Sequence, residues 1–509
     1  RVTPLSVWNA AAAGLEASAM CAALERWSRY EIHPSVLRRV RELASRFGRL
    51  RLLPGEDGFI RLASDDAVLL DELPAEPGVG ELLAERGPDG AWRVAAGARG
   101  RLKRALIHAG WPARDEVGYL SGEPLPFALR EVTGGGARFG LRRYQEQAVR
   151  SFLATGEGVI VLPCGAGKTV VGMAIMAGLG EHTLIAVTSV TAAEQWRREL
   201  LDKTTLEPEQ IGLYTGRSKE IRPVTVATYQ VLTHRASRTA PMRHLELLRR
   251  GSWGLVVYDE VHVLPAPVFQ ATVEIQARRR LGLSATLVRE DSLETDVFAL
   301  VGPKRYDVPW LTLEAEGWIA AARCVEVRVP VGEELRRAYL HAGARERPRI
   351  AADNPAKLPV VEELLERHRG VPALVIGTYV DQLERIAAAL DVPCLTGRTG
   401  QRRRDELFGA FRRGELPVLV VSKVANYAVD LPDAALAIQV SGSFGSRQEE
   451  AQRLGRLLRP KAGRNQALFY TLVSDETVER EFAERRHLFL VEQGYEYAIL
   501  DGGATMEVS

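Results

Sequence analysis

Cysteine is scarce in this sequence. Cys21, Cys164, Cys324 and Cys394 are the only four in 509 residues, too scattered for a CxxC zinc site and too few for a disulfide framework. A reducing compartment, the cytoplasm, is therefore expected. Long apolar runs are missing as well. No stretch reaches the ~20 residues that a helix needs to cross a bilayer. The N-terminal RVTPLSVWNAAAAGLEASAM mixes polar residues into its alanines, where a signal peptide carries a leucine-rich core. No membrane role is expected. Nor is there an excess of charge: 67 Lys and Arg face 65 Asp and Glu, a formal net charge of +2. Any nucleic-acid contact has to come from local basic stretches. No internal repeat or low-complexity tract is evident. What is present is length, too much for one core, and two or three domains are the natural expectation.

Three zones follow along the chain. In the first, residues 1–132, apolar Val36, Leu37, Val40, Leu43, Ala44 and Phe47 recur at helical spacing, with Arg38, Arg39, Arg41 and Glu42 on the other face. RLRLLPGEDGFIRLAS (49–64) reads as two short strands around a Pro-Gly-Glu-Asp-Gly turn. Helix followed by hairpin outlines either a winged-helix-like module or a small structural α+β domain. ARGRLKRALIHA (98–109) reads as a short basic helix whose charged face is solvated or meets nucleic acid. TGGGARFG (133–140) reads as a linker. Beyond it, strand-like apolar runs alternate with helical stretches. GVIVLP, TLIAVT, VTVAT, GLVVYD and RLGLSAT precede residue 300; PALVIGT, PVLVVSK, ALAIQVSG and ALFYTLVS follow it. Continuous apolar strands separated by helices are what a parallel sheet covered on both faces requires. Two sets predict two α/β domains, 141–307 and 308–509, joined near residues 308–327.

The chemistry is concentrated at two strand ends. VLPCGAGKT (161–169) closes one strand and opens a helix. Gly165, Ala166 and Gly167 bring backbone amides close enough to surround phosphate oxygens at a helix N-terminus. Lys168 would reach the terminal phosphates and Thr169 would hold magnesium, so ATP and Mg2+ are the expected cofactors. Leu162 stands where the general GxxxxGK[ST] pattern has its first glycine. The second strand end is LVVYDEVHVLP (255–265), a buried strand that runs into two acids. Buried carboxylates are costly without a partner, so a pair here is best accommodated where a cation and a water meet it. Asp259 takes the metal role and Glu260 the water role. His262, two places on, is expected to link nucleotide state to the rest of the machine.

DEVH, the glycine-poor P-loop and SAT (Ser284, Ala285, Thr286) resemble superfamily 2 helicases. In that resemblance LRRYQ supplies Arg142 beside the adenine ring and Gln145 at the base edge. VTSV and VATYQ supply the DNA-backbone positions Thr188 and Thr228, and VIGTY and SKV supply Thr378 and Lys423. QRLGRLLR supplies Gln452, Gly455, Arg456 and Arg459, the two arginines spaced to leave one helix face together. More specifically, PCGAGKT, DEVHVLPAPVF, LGLSATLVRED, VGPKRYDVPW and GSRQEEAQRLGRLLRPK are similar to the XPB helicase family over essentially the whole chain, and TPLSVWNAAAAG to its bacterial members.

The resemblance implies two tandem RecA-like parallel-sheet motor domains preceded by the smaller α+β domain. It implies a monomer that moves 3′-to-5′ on DNA, held through phosphates without sequence preference, in DNA repair, with Arg289, Glu290 and Asp291 opening duplex. Closing a cleft between the motors would bring Arg456 and Arg459 to the γ-phosphate. Two departures stand out. Only residues 332–357 are available for the thumb-like insertion of non-bacterial relatives, and Ala425 and Ala428 stand where many relatives have glycine, although Asp430 keeps its nucleotide-proximal place. The alternatives are a duplex-DNA translocase that never separates strands and a non-enzymatic DNA-binding scaffold. Intact Lys168, Asp259, Glu260 and Arg459 speak against the scaffold.

Overall fold

The computed structural model describes residues 2–117, 122–163, 165–234, 243–244, 248, 251–261, 275, 277–285, 294–422, 434–442, 466–492 and 497–501. Two compact units are present, Arg1–Val161 with Lys168–Asp307, and Val308–Ser509 with Leu162–Gly167.

The first unit opens with three helices, α1 (Pro4–Ala12), α2 (Ala17–Trp27) and α3 (Pro34–Arg46). Leu37, Val40 and Leu43 of α3 are buried as the apolar spacing requires, whereas Val36 faces out at 39% exposure. The turn between β1 (Leu50–Pro54) and β2 (Phe59–Ser64) passes through Asp57 and Gly58 at φ 54° and 78°, a left-handed pair that reverses the chain tightly. After α4 (Ala67–Glu72) come β3 (Trp92–Ala95), α5 (Arg99–His108) and β4 (Arg114–Asp115), giving a four-stranded sheet in the order β3-β2-β1-β4 with β4 parallel to β1. The basic helix is α5, and part of its charge serves the module itself. Arg99 Nε lies 2.9 Å and Lys103 Nζ 3.1 Å from Asp115 Oδ2, all three side chains nearly buried. Burial alone would raise the Asp115 carboxyl; Lys103 and Arg99 outweigh it and hold it below its usual range.

This module is seated on the sheet that follows. Asn9 Oδ1 accepts the Lys304 amide at 2.8 Å, Arg305 Nη1 donates to the Ala12 carbonyl at 3.0 Å, and Phe298 shares an apolar cluster with Val7 and Trp8. The stretch 133–140, expected as a linker, is instead a tight turn seated at the end of α8 (Val190–Lys203). The Gly134 amide donates to the Asp202 carbonyl at 2.8 Å, and Thr133 donates to the Ala137 carbonyl at 2.9 Å. Glycine serves here to bring backbone against backbone, not to keep a tether loose.

The motor sheet of this unit has seven parallel strands in the order β11-β5-β10-β9-β6-β8-β7. They are β5 (Glu157–Val161), β6 (Thr183–Val187), β7 (Ile211–Tyr214), β8 (Val224–Thr228), β9 (Trp253–Asp259), β10 (Ala277–Ser284) and β11 (Lys304–Asp307). Strands β6 and β8 are buried at every residue, because helices such as α6 (Arg143–Leu153), α7 (Lys168–Leu179) and α8 cover the faces.

The second unit repeats the plan: seven parallel strands, β14-β15-β13-β16-β17-β12-β18, formed by β12 (Ala321–Val329), β13 (Ala373–Ile376), β14 (Cys394–Leu395), β15 (Val418–Val421), β16 (Leu436–Gln439), β17 (Gln466–Ser474) and β18 (Tyr497–Asp501). The expected join at 308–327 runs into β12, which pairs along its whole length with β17. Residues 332–357 hold two short helices, Glu333–His341 and Arg347–Ala352, the first tied down where Tyr339 Oη accepts the Val478 amide at 2.8 Å. Beneath them Lys357 is 1% exposed, donating to Glu479 Oε2 at 2.7 Å and to the Val440 carbonyl at 2.8 Å. Losing one partner of such a pair strands the other charge. Lys357→Met should lower unfolding stability by about 3–5 kcal/mol in urea melts, and Lys357→Met with Glu479→Leu should recover most of it. Equal losses in the single and double variants would contradict this.

Among the described residues no helix is long and apolar enough to cross a membrane.

Candidate active site

The site forms at the C-terminal edge of the first motor sheet, where open parallel sheets take their ligands. β5 ends at Val161, and the loop beyond it needs glycine twice: Gly165 and Gly167 sit at φ 82° and 81°. Ala166 between them is fully buried, its amide donating to the Pro163 carbonyl at 3.1 Å. α7 then starts at Lys168 with Thr169 in its first turn. Two strands away, β9 delivers Asp259, and the chain turns sharply at Glu260, whose φ of 51° is left-handed. A non-glycine residue in that region is sparsely populated and occurs most often where function requires the geometry. The turn places Glu260 Oε1 3.3 Å from Lys168 Nζ. The strand between them, β10, ends at Ser284, paired in register with Val161 while Leu283 pairs with Asp259. Ser284 thus lies fully buried between the phosphate-loop strand and the acid strand.

Asp259 is held on every side. Trp196 Nε1 donates to its Oδ2 at 2.8 Å, the Glu260 amide donates to its Oδ1 at 3.0 Å, and Tyr229 Oη donates to its carbonyl at 2.7 Å. Burial, then the neighbouring Glu260 charge, push its carboxyl up to about 6; the Trp196 bond and Lys168 work against them. Burial also drives the Tyr229 phenol well above its ordinary value, with Asp259 adding to it. The sign of the consequence is set by the raised value. Between about pH 4 and 6 the folded, nucleotide-free protein holds a proton that the unfolded chain has released, so this group's contribution to stability declines as pH rises through that window. Asp259→Asn should therefore raise the nucleotide-free Tm at pH 7.5 and raise it less at pH 5; a pH-independent change would contradict the assignment.

At the entrance to α6, Gln145 Oε1 accepts the Arg142 amide at 2.9 Å, and Arg142 Nη1 donates to Tyr144 Oη at 3.1 Å. Gln145 is 4% exposed, so it shapes the helix start as well as any pocket. Thr188 and Thr378 lie just beyond the C-terminal ends of β6 and β13, and Thr228 is the last residue of β8. They differ in availability. Thr188 is half-buried, Thr228 is 1% exposed with its hydroxyl enclosed, and the Thr378 amide already donates to Ser441 Oγ at 2.9 Å. His262, Thr286, Arg289, Glu290, Asp291, Lys423, Asp430, Gln452, Arg456 and Arg459 lie outside the described residues. Trp196 and Tyr229 were not singled out by sequence reasoning, and nothing in AEQWRREL or TYQVL signals a contact to an acid far along the chain.

A phosphate loop opening a helix, an acid pair two strands away in a seven-stranded parallel sheet, and a second parallel sheet of equal size define a helicase-type motor with tandem RecA-like domains. Solved structures of similar fold include yeast Dbp5 bound to RNA and ADP BeF3 (TM-score 0.50, 15% identity, 71% of this chain and 90% of that one). Another is the DNA-bound Type ISP restriction-modification enzyme LlaBIII (TM-score 0.54, 11% identity, 74% of this chain and 32% of that one). Residues 138–289 match the family model for the res subunit of Type III restriction enzymes, residues 313–509 that for the ERCC3/RAD25/XPB C-terminal helicase, and residues 1–87 one described as a helicase conserved C-terminal domain. DNA 3'-5' helicase XPB of Mycobacterium tuberculosis is 49% identical, over 98% of this chain and 90% of the relative. The Kineococcus radiotolerans protein of the same name is 51% identical, over 98% and 89%. The factor IIH helicase/translocase subunit XPB of Antonospora locustae is 34% identical, over 98% and 75%. The chain belongs to the XPB family of helicases, and it is an ATP-dependent DNA helicase.

Proposed function

We propose that this helicase moves 3′-to-5′ on DNA and opens it locally in the course of repair, acting in the cytoplasm as a monomer. The observation that carries the catalytic reading is the Lys168–Glu260 contact of 3.3 Å beside a half-buried Asp259 whose carboxylate is fixed by Trp196 and the Glu260 amide. Two carboxylates against one lysine leave surplus negative charge, a donor set that a divalent cation fits. Thr169 and Asp259 would hold magnesium, which neutralises charge on the β- and γ-phosphates when bound. Gly165, Ala166 and Gly167 offer backbone amides to the phosphates, and Lys168 binds the terminal ones. Glu260 accepts a hydrogen bond from the attacking water and aims it at phosphorus. Arg142 and Gln145 hold the adenine, and Asp430 and Gln452 complete the nucleotide contacts. Arg456 and Arg459 supply guanidinium groups to the γ-phosphate as it leaves.

DNA is held through its phosphates near Thr188, Thr228, Thr378 and Lys423, with Arg289, Glu290 and Asp291 at the point of opening, while His262, Ser284 and Thr286 relay the nucleotide state. Binding of this kind ignores sequence and weakens steeply with salt. The test is strand displacement on forked and bubble DNA beside triplex displacement on intact duplex, with defined polarity and across salt. Displacement of the forked strand from the 3′ side supports the reading. Triplex displacement without strand separation would make the protein a duplex translocase instead.

A further inference from the structure

Trp196 is 2% exposed, and the one polar atom of its side chain is spent on Asp259 Oδ2 at 2.8 Å. The contact is built from several directions. Gly172 of α7 faces the ring so closely that a Cβ there would lie 2.7 Å from Trp196 Cη2 and 3.2 Å from Leu283 Cδ1. Glycine is thus what lets the indole lie against the helix that begins with Lys168, at a point that also meets Leu283 of β10, which is in register with Asp259. With the Glu260 amide on Oδ1 at 3.0 Å, both carboxylate oxygens carry one fixed donor each, and the rotation of the carboxylate is determined.

We infer that Trp196 is a positioning residue for ATP hydrolysis: its indole N–H sets the rotation of the Asp259 carboxylate, so that the remaining lone pairs face the divalent cation that accompanies the nucleotide. The inference rests on the reading of Asp259 as a metal ligand. Partners that orient a ligand in this way typically contribute about 10- to 100-fold in metal affinity or activity. Phenylalanine keeps the ring against Gly172 and removes only the donor.

The test is titration of the full chain with a fluorescent ADP, with and without Mg2+. In the parent protein Mg2+ should tighten nucleotide binding. Trp196→Phe should lose about tenfold of that tightening while the metal-free Kd stays within about twofold. Asp259→Asn should lose the tightening by itself, and adding Trp196→Phe to it should change nothing further, since both act through one carboxylate. Unchanged tightening in Trp196→Phe, a parallel loss of metal-free affinity, or an additive effect in the Asp259→Asn background would overturn the inference. Tightening that survives Asp259→Asn would instead remove Asp259 from the metal, and the inference with it. A second measurement needs no change at Trp196. Of the eight tryptophan indole N–H resonances, the one displaced by Asp259→Asn should shift when Mg2+ joins ADP and not with ADP alone; no such shift also overturns the assignment.

Discussion

Arg459→Ala should lower DNA-stimulated ATP turnover by about 10³-fold or more, the range that arginine fingers span in phosphoryl transfer. Nucleotide affinity should move far less. Charge on the γ-phosphoryl oxygens grows as the bond to the leaving oxygen lengthens, so a guanidinium aimed there binds the transition state more tightly than it binds ATP. In QRLGRLLR, Arg456 and Arg459 are three residues apart, a spacing that would put both on one face of a helix. Lysine would carry the charge without the planar fork, so Arg459→Lys should recover little. The check is steady-state kinetics at saturating forked DNA. A raised KM with kcat intact would mean that Arg459 only binds nucleotide.

The second large effect is expected at Lys168. Lys168→Ala should reduce phosphate release to background, at least about 10²- to 10³-fold, as removal of a preorganised electrostatic contact to the reacting group does elsewhere. DNA binding without nucleotide should be nearly unchanged. The geometry makes the loss larger than that of a single ligand. Lys168 Nζ is 3.3 Å from Glu260 Oε1, and its charge also opposes the rise of the Asp259 carboxyl to about 6. Without it two adjacent acids face each other with less compensation, and one of them is held protonated at a higher pH. A variant that still hydrolysed ATP at the parent rate would take Lys168 out of the site.

The parts of the fold that could be read from the sequence are those where one physical signal dominates. VTVAT and TLIAV are buried at every position because helices lie on both sheet faces, and that leaves a continuous apolar run. β12 is equally central, yet AARCVEVRV carries Arg323, Glu326 and Arg328, so it looks like a joint between domains. Glu326 is nonetheless 4% exposed, because Arg328 and the Tyr497 hydroxyl donate to it at 3.3 and 2.8 Å. One partner, Arg328, is a neighbour on the same strand, but Tyr497 comes from a strand far along the chain, and that half of the arrangement leaves no local trace. The glycines of 133–140 misled for a related reason, since glycine serves close backbone approach as readily as looseness.

At the site the same division holds. That Lys168, Thr169, Asp259 and Glu260 lie beside strand ends can be read from the sequence, because phosphate and acid chemistry would demand those residue types there. The place of Trp196 cannot, since its link to Asp259 spans 63 positions and depends on the gap left by Gly172. Burial was equally hidden: nothing in VATYQ distinguishes the enclosed Thr228 from the more open Thr188.

Phosphate release from ATP in the presence and absence of forked DNA, followed in the parent chain and in Glu260→Gln, tests the central claim most directly. The account predicts strong stimulation by DNA in the parent chain. In the variant it predicts loss of release by about 10² or more with ATP and DNA both still bound, because the amide cannot orient and accept from the attacking water as the carboxylate does. Release that ignores DNA, or persists at the parent rate in Glu260→Gln, would contradict it.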